Sequence, residues 1–224
     1  MNRSSDTFNL IKEQAFLPLF FHSDVEVSIN ILSALYDAGI RIIEYTNRGE
    51  EAFNNFKELI AYKNAKNLNM QIGAGTIKNT GDAKKFIEIG ADFIVCPGII
   101  PEIGAVVQNA GLLWIPGCMT TTEIIIAEGC EASLIKLFPG NLLQPSYVVA
   151  IKELFPNLYF MPTGGVELNK ENIEAWFNAG VCAVGIGSKL FSKEIIEKKN
   201  YTQISLLAKK GLEIIQSLKK NNVV

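Results

Sequence analysis

Short apolar runs recur along the chain about every 20–25 residues, each closing on Gly, Pro or a polar residue. They are AFLPLFF (15–21), IRIIEYT (40–46), MQIGAG (70–75), DFIVCPG (92–98), LLWIPG (112–117), LIKLFPG (134–140), LYFMPTGG (158–165) and CAVGIGS (182–188). Between them lie segments whose apolar positions recur at helical spacing: 24–37, 50–63, 79–89, 101–109, 121–129, 145–154 and 170–178. A last helical stretch covers 189–218, and one at 6–14 precedes the first run. Runs that are apolar throughout suit parallel strands covered on both faces. Eight such strands alternating with helices predict an α/β fold, a single (β/α)8 TIM barrel over residues 1–224 with an extra N-terminal helix. The competing architecture is an open doubly wound sheet. Even spacing and the count of eight favour the barrel.

A barrel gathers its chemistry at the C-terminal ends of its strands. The polar residues that interrupt or follow the runs are therefore the candidates. They are Glu44, Thr46 and Arg48 on the second, Thr76 after the third, Lys136 within the sixth, Thr163 on the seventh and Ser188 after the eighth.

Lys136 raises the sharpest question, because ASLIKLFPG is otherwise a buried strand. Desolvation favours the neutral amine, which can attack a carbonyl to form a Schiff base. The iminium is an electron sink, so a lysine inside a barrel strand points to an aldolase or a related carbon–carbon lyase. A lysine that merely meets a carboxylate is the alternative. Glu44 supplies a carboxylate inside a second apolar strand, suited to shuttling protons for such chemistry. A structural Glu44–Lys136 ion pair would leave an inert barrel, and a buried pair is weak evidence for stability. Arg48 can hold a carboxylate bidentately, which suits a 2-oxo acid. Thr76 follows GAG, where backbone can approach a ligand closely. PTGGV (162–166) and GIGS (185–188) end the last two strands, the place where barrels often bind phosphate. Ser188 adds a hydroxyl where a helix is expected to begin.

Composition narrows the field. The chain has 224 residues, 48% hydrophobic and 20% charged, with net charge −2, so no basic footprint for nucleic acid appears. The cationic cluster Lys209-Lys210 with Lys219-Lys220 reads as a solvated helix end. No apolar run reaches the roughly 18–20 residues of a membrane span, and MNRSSDTFNLIKEQ lacks the apolar core of a signal peptide. The expectation is a cytoplasmic protein. Cys96, Cys118, Cys130 and Cys182 show no zinc-type spacing and read as reduced, packed thiols. The only histidine, His22, rules out a site needing two, which argues against a metal-dependent sugar-phosphate epimerase.

Seven ordered motifs carry a resemblance: IIEYTNR, IGAGTI, FIVCPG, IPGCMTTTE, IKLFPG, MPTGGV and GIGSKL. From about residue 15 to 191 the chain resembles the 2-keto-3-deoxy-6-phosphogluconate aldolase family, also called the 4-hydroxy-2-oxoglutarate aldolase family. The resemblance implies a class I, metal-independent lyase with no cofactor, and typically a homotrimer. It implies that Lys136 is the Schiff-base lysine and Glu44 the general acid/base. Arg48 and Thr76 would hold the pyruvate carboxylate, and Thr163 would line the pyruvyl pocket. Gly164, Gly165, Gly187 and Ser188 would bind the phosphate end, and Pro97 in FIVCPG joins the substrate-binding set. The chain departs from the family pattern at Ile186, Lys189, Gly140 and Thr121, and the Phe20-Phe21-His22 region is unmatched. These departures touch substrate length and stereochemistry rather than Lys136 or Glu44. The expected substrate is 2-keto-3-deoxy-6-phosphogluconate. Its galactonate epimer and 4-hydroxy-2-oxoglutarate fit the same chemistry, and a non-catalytic barrel that binds a sugar phosphate is the alternative outside enzymology.

Overall fold

The computed structural model describes residues 3–220, so the ends of the expected 1–224 domain, residues 1–2 and 221–224, lie outside the described residues. The chain runs α1 (Arg3–Gln14), β1 (Phe16–Phe20), α2 (Val25–Asp37), β2 (Ile42–Thr46), α3 (Ala52–Ala65), β3 (Gln71–Gly75) and α4 (Thr80–Glu88). It continues through β4 (Phe93–Val95), α5 (Pro101–Asn109), β5 (Leu113–Ile115), β6 (Gly117–Cys118), α6 (Thr121–Gly129) and β7 (Leu134–Leu137). It ends with α7 (Gly140–Lys152), β8 (Tyr159–Pro162), α8 (Lys170–Asn178), β9 (Val184–Ile186), α9 (Lys193–Glu197) and α10 (Tyr201–Lys220).

Each apolar run forms a strand, and all paired strands are parallel. Strands β5-β4-β3-β2-β1-β9 form one ribbon and β6-β7-β8 another. The ribbons join at both seams. Thr163 bridges Gly185, and the Cys182 N–H donates to the Phe160 carbonyl at 3.0 Å. At the other seam the fifth run is one strand interrupted at Pro116, giving β5 and β6. The Pro116 carbonyl still accepts from the Lys136 N–H at 2.9 Å. The sheet is thus a closed barrel of eight runs. Proline has no N–H to give to a ladder, which accounts for the interruption.

Alternation along the strands decides which side chains fill the barrel. Leu17, Ile42, Phe93, Val95, Leu113, Ile115, Leu134 and Met161 form its interior cluster, with Ile11 of α1 closing the N-terminal end. The Gln14 side chain fixes α1 there, donating to the carbonyls of Phe16 and Ile42 and accepting from the N–H groups of Arg41 and Ile42. The opposite strand face packs against the surrounding helices in a second, larger cluster.

Helix starts follow capping chemistry. Asp24, Asn79, Asn169 and Ser192 each accept from the first turns of α2, α4, α8 and α9. Thr120 and Glu123 form a reciprocal capping box on α6. Two helical expectations change. The 145–154 segment starts earlier, at Gly140, but Gln144 (φ 62°, ψ 161°) kinks it, and Pro145 begins the regular part. The 189–218 stretch is two helices, separated where Lys199 takes φ 47°. No helix among the described residues is long and apolar enough to cross a membrane.

Candidate active site

Strand alternation sets the catalytic candidates. Leu134 faces the barrel interior, so Lys136, two residues on, does as well; Ile42 and Glu44 stand in the same relation. The Lys136 Nζ lies 3.3 and 3.4 Å from the two Glu44 carboxylate oxygens. Lys136 is 5% exposed and Glu44 fully buried. The sequence-level expectation that two distant strands bring these groups together therefore holds geometrically, across 92 residues of chain.

Two glycines make room for this pair and its surroundings. A Cβ on Gly75 would stand 1.9 Å from a Glu44 oxygen, so the strand beside Glu44 has to lack a side chain there. A Cβ on Gly185 would stand 2.4 Å from the Thr163 hydroxyl. That hydroxyl is buried and has no hydrogen-bond partner among the described residues. An unpaired buried hydroxyl is costly, and at a site it is a group waiting for a ligand.

A hollow of about 140 Å³ opens at the C-terminal mouth of the barrel. It brings together Arg48, Thr163, Gly164, Gly165, Gly187 and Ser188, six of the sequence-predicted residues. Leu19, Phe138, Val166 and Gly185 complete the wall and were not among the candidates. Phe138, Val166 and Gly185 stand inside the motifs IKLFPG, MPTGGV and GIGSKL, which was the available signal. Leu19 carried none beyond its place near the end of β1. Lys136 Nζ is 5.7 Å from the Phe138 ring centroid, so the amine lies just beneath this wall. Arg48 is exposed and has no ion-pair partner among the described residues.

Gly164 and Gly165 take φ values of 90° and 75°, left-handed in succession, which side chains resist. The N–H groups of Gly165 and Ser188 donate to no acceptor among the described residues and are available to an anion. Ser188 does not begin a helix as expected. Residues 188–190 form a turn closed by the Gly187 carbonyl, which accepts from Leu190 and Phe191, and α9 starts only at Lys193. Lys189 does not enter the hollow; its Nζ pairs with Glu167 at 2.9 Å. Ile186 is buried in the helix-facing core.

Thr76 and Pro97 sit at the ends of β3 and β4 but outside the wall of the hollow. Thr76 has φ 61°, a conformation that strains a β-branched residue. Pro97 backs directly on Gly117, where a Cβ would meet its carbonyl group at 2.4 Å. The Cys96 thiol, near the lysine–carboxylate pair, is pushed up to about 11 by burial, against a lowering hydrogen bond from Trp114. It stays a neutral thiol beside the pair. His22 is no part of the site: its Nδ1 accepts from the Asp24 N–H in the loop after β1. Among the described residues no three His, Cys, Asp or Glu side chains converge as a metal group.

The model of the KDPG and KHG aldolase family matches residues 8–207. The chain belongs to this family. It is an aldolase, a carbon–carbon lyase. The 2-dehydro-3-deoxy-phosphogluconate aldolase of Treponema pallidum (strain Nichols) is 30% identical over 210 residues, covering 93% of this chain and 97% of that protein. The 2-dehydro-3-deoxy-6-phosphogalactonate aldolase of Escherichia coli (strain K12) is 27% identical, covering 83% and 88%. Among solved structures, the KDPG aldolase from Legionella pneumophila with pyruvate captured as a covalent carbinolamine is 28% identical. It superposes with a TM-score of 0.79 over 87% of this chain and 92% of that one. The barrel of the aldolase described above is the fold of this neighbour.

Proposed function

We propose that the aldolase cleaves 2-keto-3-deoxy-6-phosphogluconate to pyruvate and glyceraldehyde 3-phosphate through a Schiff base on Lys136. The observation that carries this reading is the buried amine of Lys136 against both oxygens of Glu44, beneath a mouth lined by Arg48 and two glycine loops. The Lys136 amine adds to the C2 carbonyl, and loss of water gives the iminium. Glu44 takes the proton of the C4 hydroxyl, directly or through one water. The C3–C4 bond breaks, its electron pair enters the iminium, and the aldehyde leaves. The resulting enamine is protonated at C3, and hydrolysis of the iminium frees pyruvate and the amine.

In this reading Arg48 and Thr76 hold the keto-acid carboxylate, and the Thr163 hydroxyl gains its missing partner in the pyruvyl group. Pro97 shapes the wall beyond them. Gly164, Gly165, Gly187 and Ser188 take the phosphate. Cleavage of 4-hydroxy-2-oxoglutarate to pyruvate and glyoxylate uses the same steps with the phosphate loops idle. The galactonate epimer differs only at a hydroxyl configuration, and the Escherichia coli relative bears its name.

We further propose one aldolase domain over residues 1–224, acting in the cytoplasm as a homotrimer. Four free thiols suit a reducing compartment. Met119 and the neighbouring helices α6 and α7 expose Ile125, Ile126, Leu142 and Val149, apolar surface suited to burial against another copy.

Incubation with pyruvate and borohydride tests the chemistry. The expected product is a reduced pyruvyl adduct that maps to Lys136 and is absent from Lys136→Met. A folded protein that gives no adduct overturns the Schiff-base reading.

A further inference from the structure

The N-terminal end of the barrel, opposite the catalytic mouth, holds a larger hollow of about 550 Å³. Its wall is made where α1, α7 and α10 end and where β8 begins. Lys12, Lys152 and Lys219, each in the last turn of its helix, converge on it. Phe177 and Cys182 complete the apolar side, and Tyr159, 36% exposed, stands between the amines.

All three amines are held rather than splayed into water. Lys12 Nζ lies 4.4 Å from the Tyr159 ring centroid and 5.4 Å from that of Phe8. Lys152 Nζ lies 5.7 Å from the Tyr159 centroid and donates to the Leu158 carbonyl at 2.8 Å. Lys219 Nζ donates to the Glu13 carbonyl at 2.6 Å. Among the described residues no carboxylate lines the hollow, and none of the three amines pairs with an acidic side chain. A helix dipole accounts for a lysine at each helix end and offsets part of the charge. It does not account for three like charges brought to one concave site beside an aromatic ring, an arrangement that repels itself unless an anion enters.

We propose that this hollow is a second ligand site, for a compact polyanion such as a small polyphosphate or polycarboxylate. The amines of Lys12, Lys152 and Lys219 supply charge-assisted hydrogen bonds, and Tyr159 with Phe177 supplies the apolar wall. The site is independent of the aldol chemistry: it shares no residue with the mouth that holds Arg48 and Thr163.

Isothermal titration with inorganic pyrophosphate, and separately with citrate, tests it on the full chain. Arg48→Ala removes the cation of the mouth and is the background in which the second site is read. Saturable binding is expected in that variant, weakened roughly tenfold or more in Arg48→Ala with Lys12→Gln and Lys152→Gln. Binding of pyrophosphate alone assigns the site to phosphates, and of citrate alone to carboxylates. Absence of saturation by either at about 10 mM overturns the proposal, as does binding that the lysine changes leave intact. Lysine acylation mapped by mass spectrometry keeps the test open if those variants do not fold. Pyrophosphate or citrate should slow acylation of Lys12, Lys152 and Lys219 in the unaltered protein while exposed Lys66 and Lys84 react as before. Equal reaction at all five sinks the assignment.

Discussion

Lys136 and Glu44 meet as a buried pair, the lysine nitrogen 3.3 Å from one Glu44 side-chain oxygen and 3.4 Å from the other. Their contact predicts opposite outcomes for single and double substitution. Lys136→Met leaves the buried Glu44 side chain without its partner, and Glu44→Leu does the same to the buried amine. Each single change should destabilise the fold by about 3–5 kcal/mol, whereas the double change should recover most of that loss. Urea unfolding of the four proteins measures the cycle. Additive losses would mean that the pair is not coupled. Activity follows a different rule: Lys136→Met abolishes cleavage, and Glu44→Gln lowers kcat by about 10²–10⁴-fold.

Thr163 offers a cleaner separation of stability from function. Its hydroxyl is buried beside Gly185 without a partner among the described residues. Thr163→Val keeps the shape and removes the unpaired group, so the free protein should be as stable or gain about 1 kcal/mol. Loss of the substrate contact should lower kcat/KM about tenfold. Thermal unfolding and steady-state kinetics on the same preparation check both. A variant that loses stability while keeping full activity would show that the hydroxyl serves the fold.

The sequence made the barrel legible because its strands are apolar throughout and its helices periodic. It made Lys136 and Glu44 legible because a charge inside such a strand is conspicuous. Other features left no comparable trace. Pro116 divides the fifth strand into β5 and β6, yet LLWIPG reads as one run ending in a turn. The break between α9 and α10 falls at Lys199-Asn200, where both flanking segments keep a helical period. Asn200 accepts from the Gln203 N–H, a cap visible only once the left-handed Lys199 is known. Ser188 reads as a helix start because barrels often set a short helix N-terminus beside the loops after the last two strands. The Gly187 carbonyl instead closes a short turn. The partner of Lys189 could not be read either, since Glu167 lies 22 residues away on another loop.

That partner sets a specificity prediction. Lys189 and Glu167 form a half-exposed pair at 2.9 Å, next to the glycine loops. Exposed pairs contribute only about 0–1 kcal/mol, so Glu167→Gln should leave stability unchanged. It removes a negative charge near the phosphate loops and frees an ammonium. KM for a phosphorylated substrate should fall severalfold, while KM for 4-hydroxy-2-oxoglutarate should not move, and added salt should erase the difference. Equal changes for both substrates would locate the pair away from the phosphate.

The capping box at the start of α6 predicts an acid-sensitive element near β6. Burial works to raise the Glu123 carboxyl, but the N–H groups of Met119 and Thr120, both at 2.7 Å, and the Thr120 hydroxyl at 3.0 Å outweigh it. The group is held below its ordinary value of 4.5. In the unfolded chain it therefore takes up a proton first as pH falls, which favours unfolding. Its contribution is complete above about 4.5 and is lost as pH drops through the lower folded value. Glu123→Gln should accordingly be less stable than the unaltered protein at neutral pH, and the two should converge in acid. Urea unfolding at neutral pH and at steps below 4.5 reads this directly. A gap that stays constant across that range would show that the hydrogen bonds do not depend on the charge of Glu123.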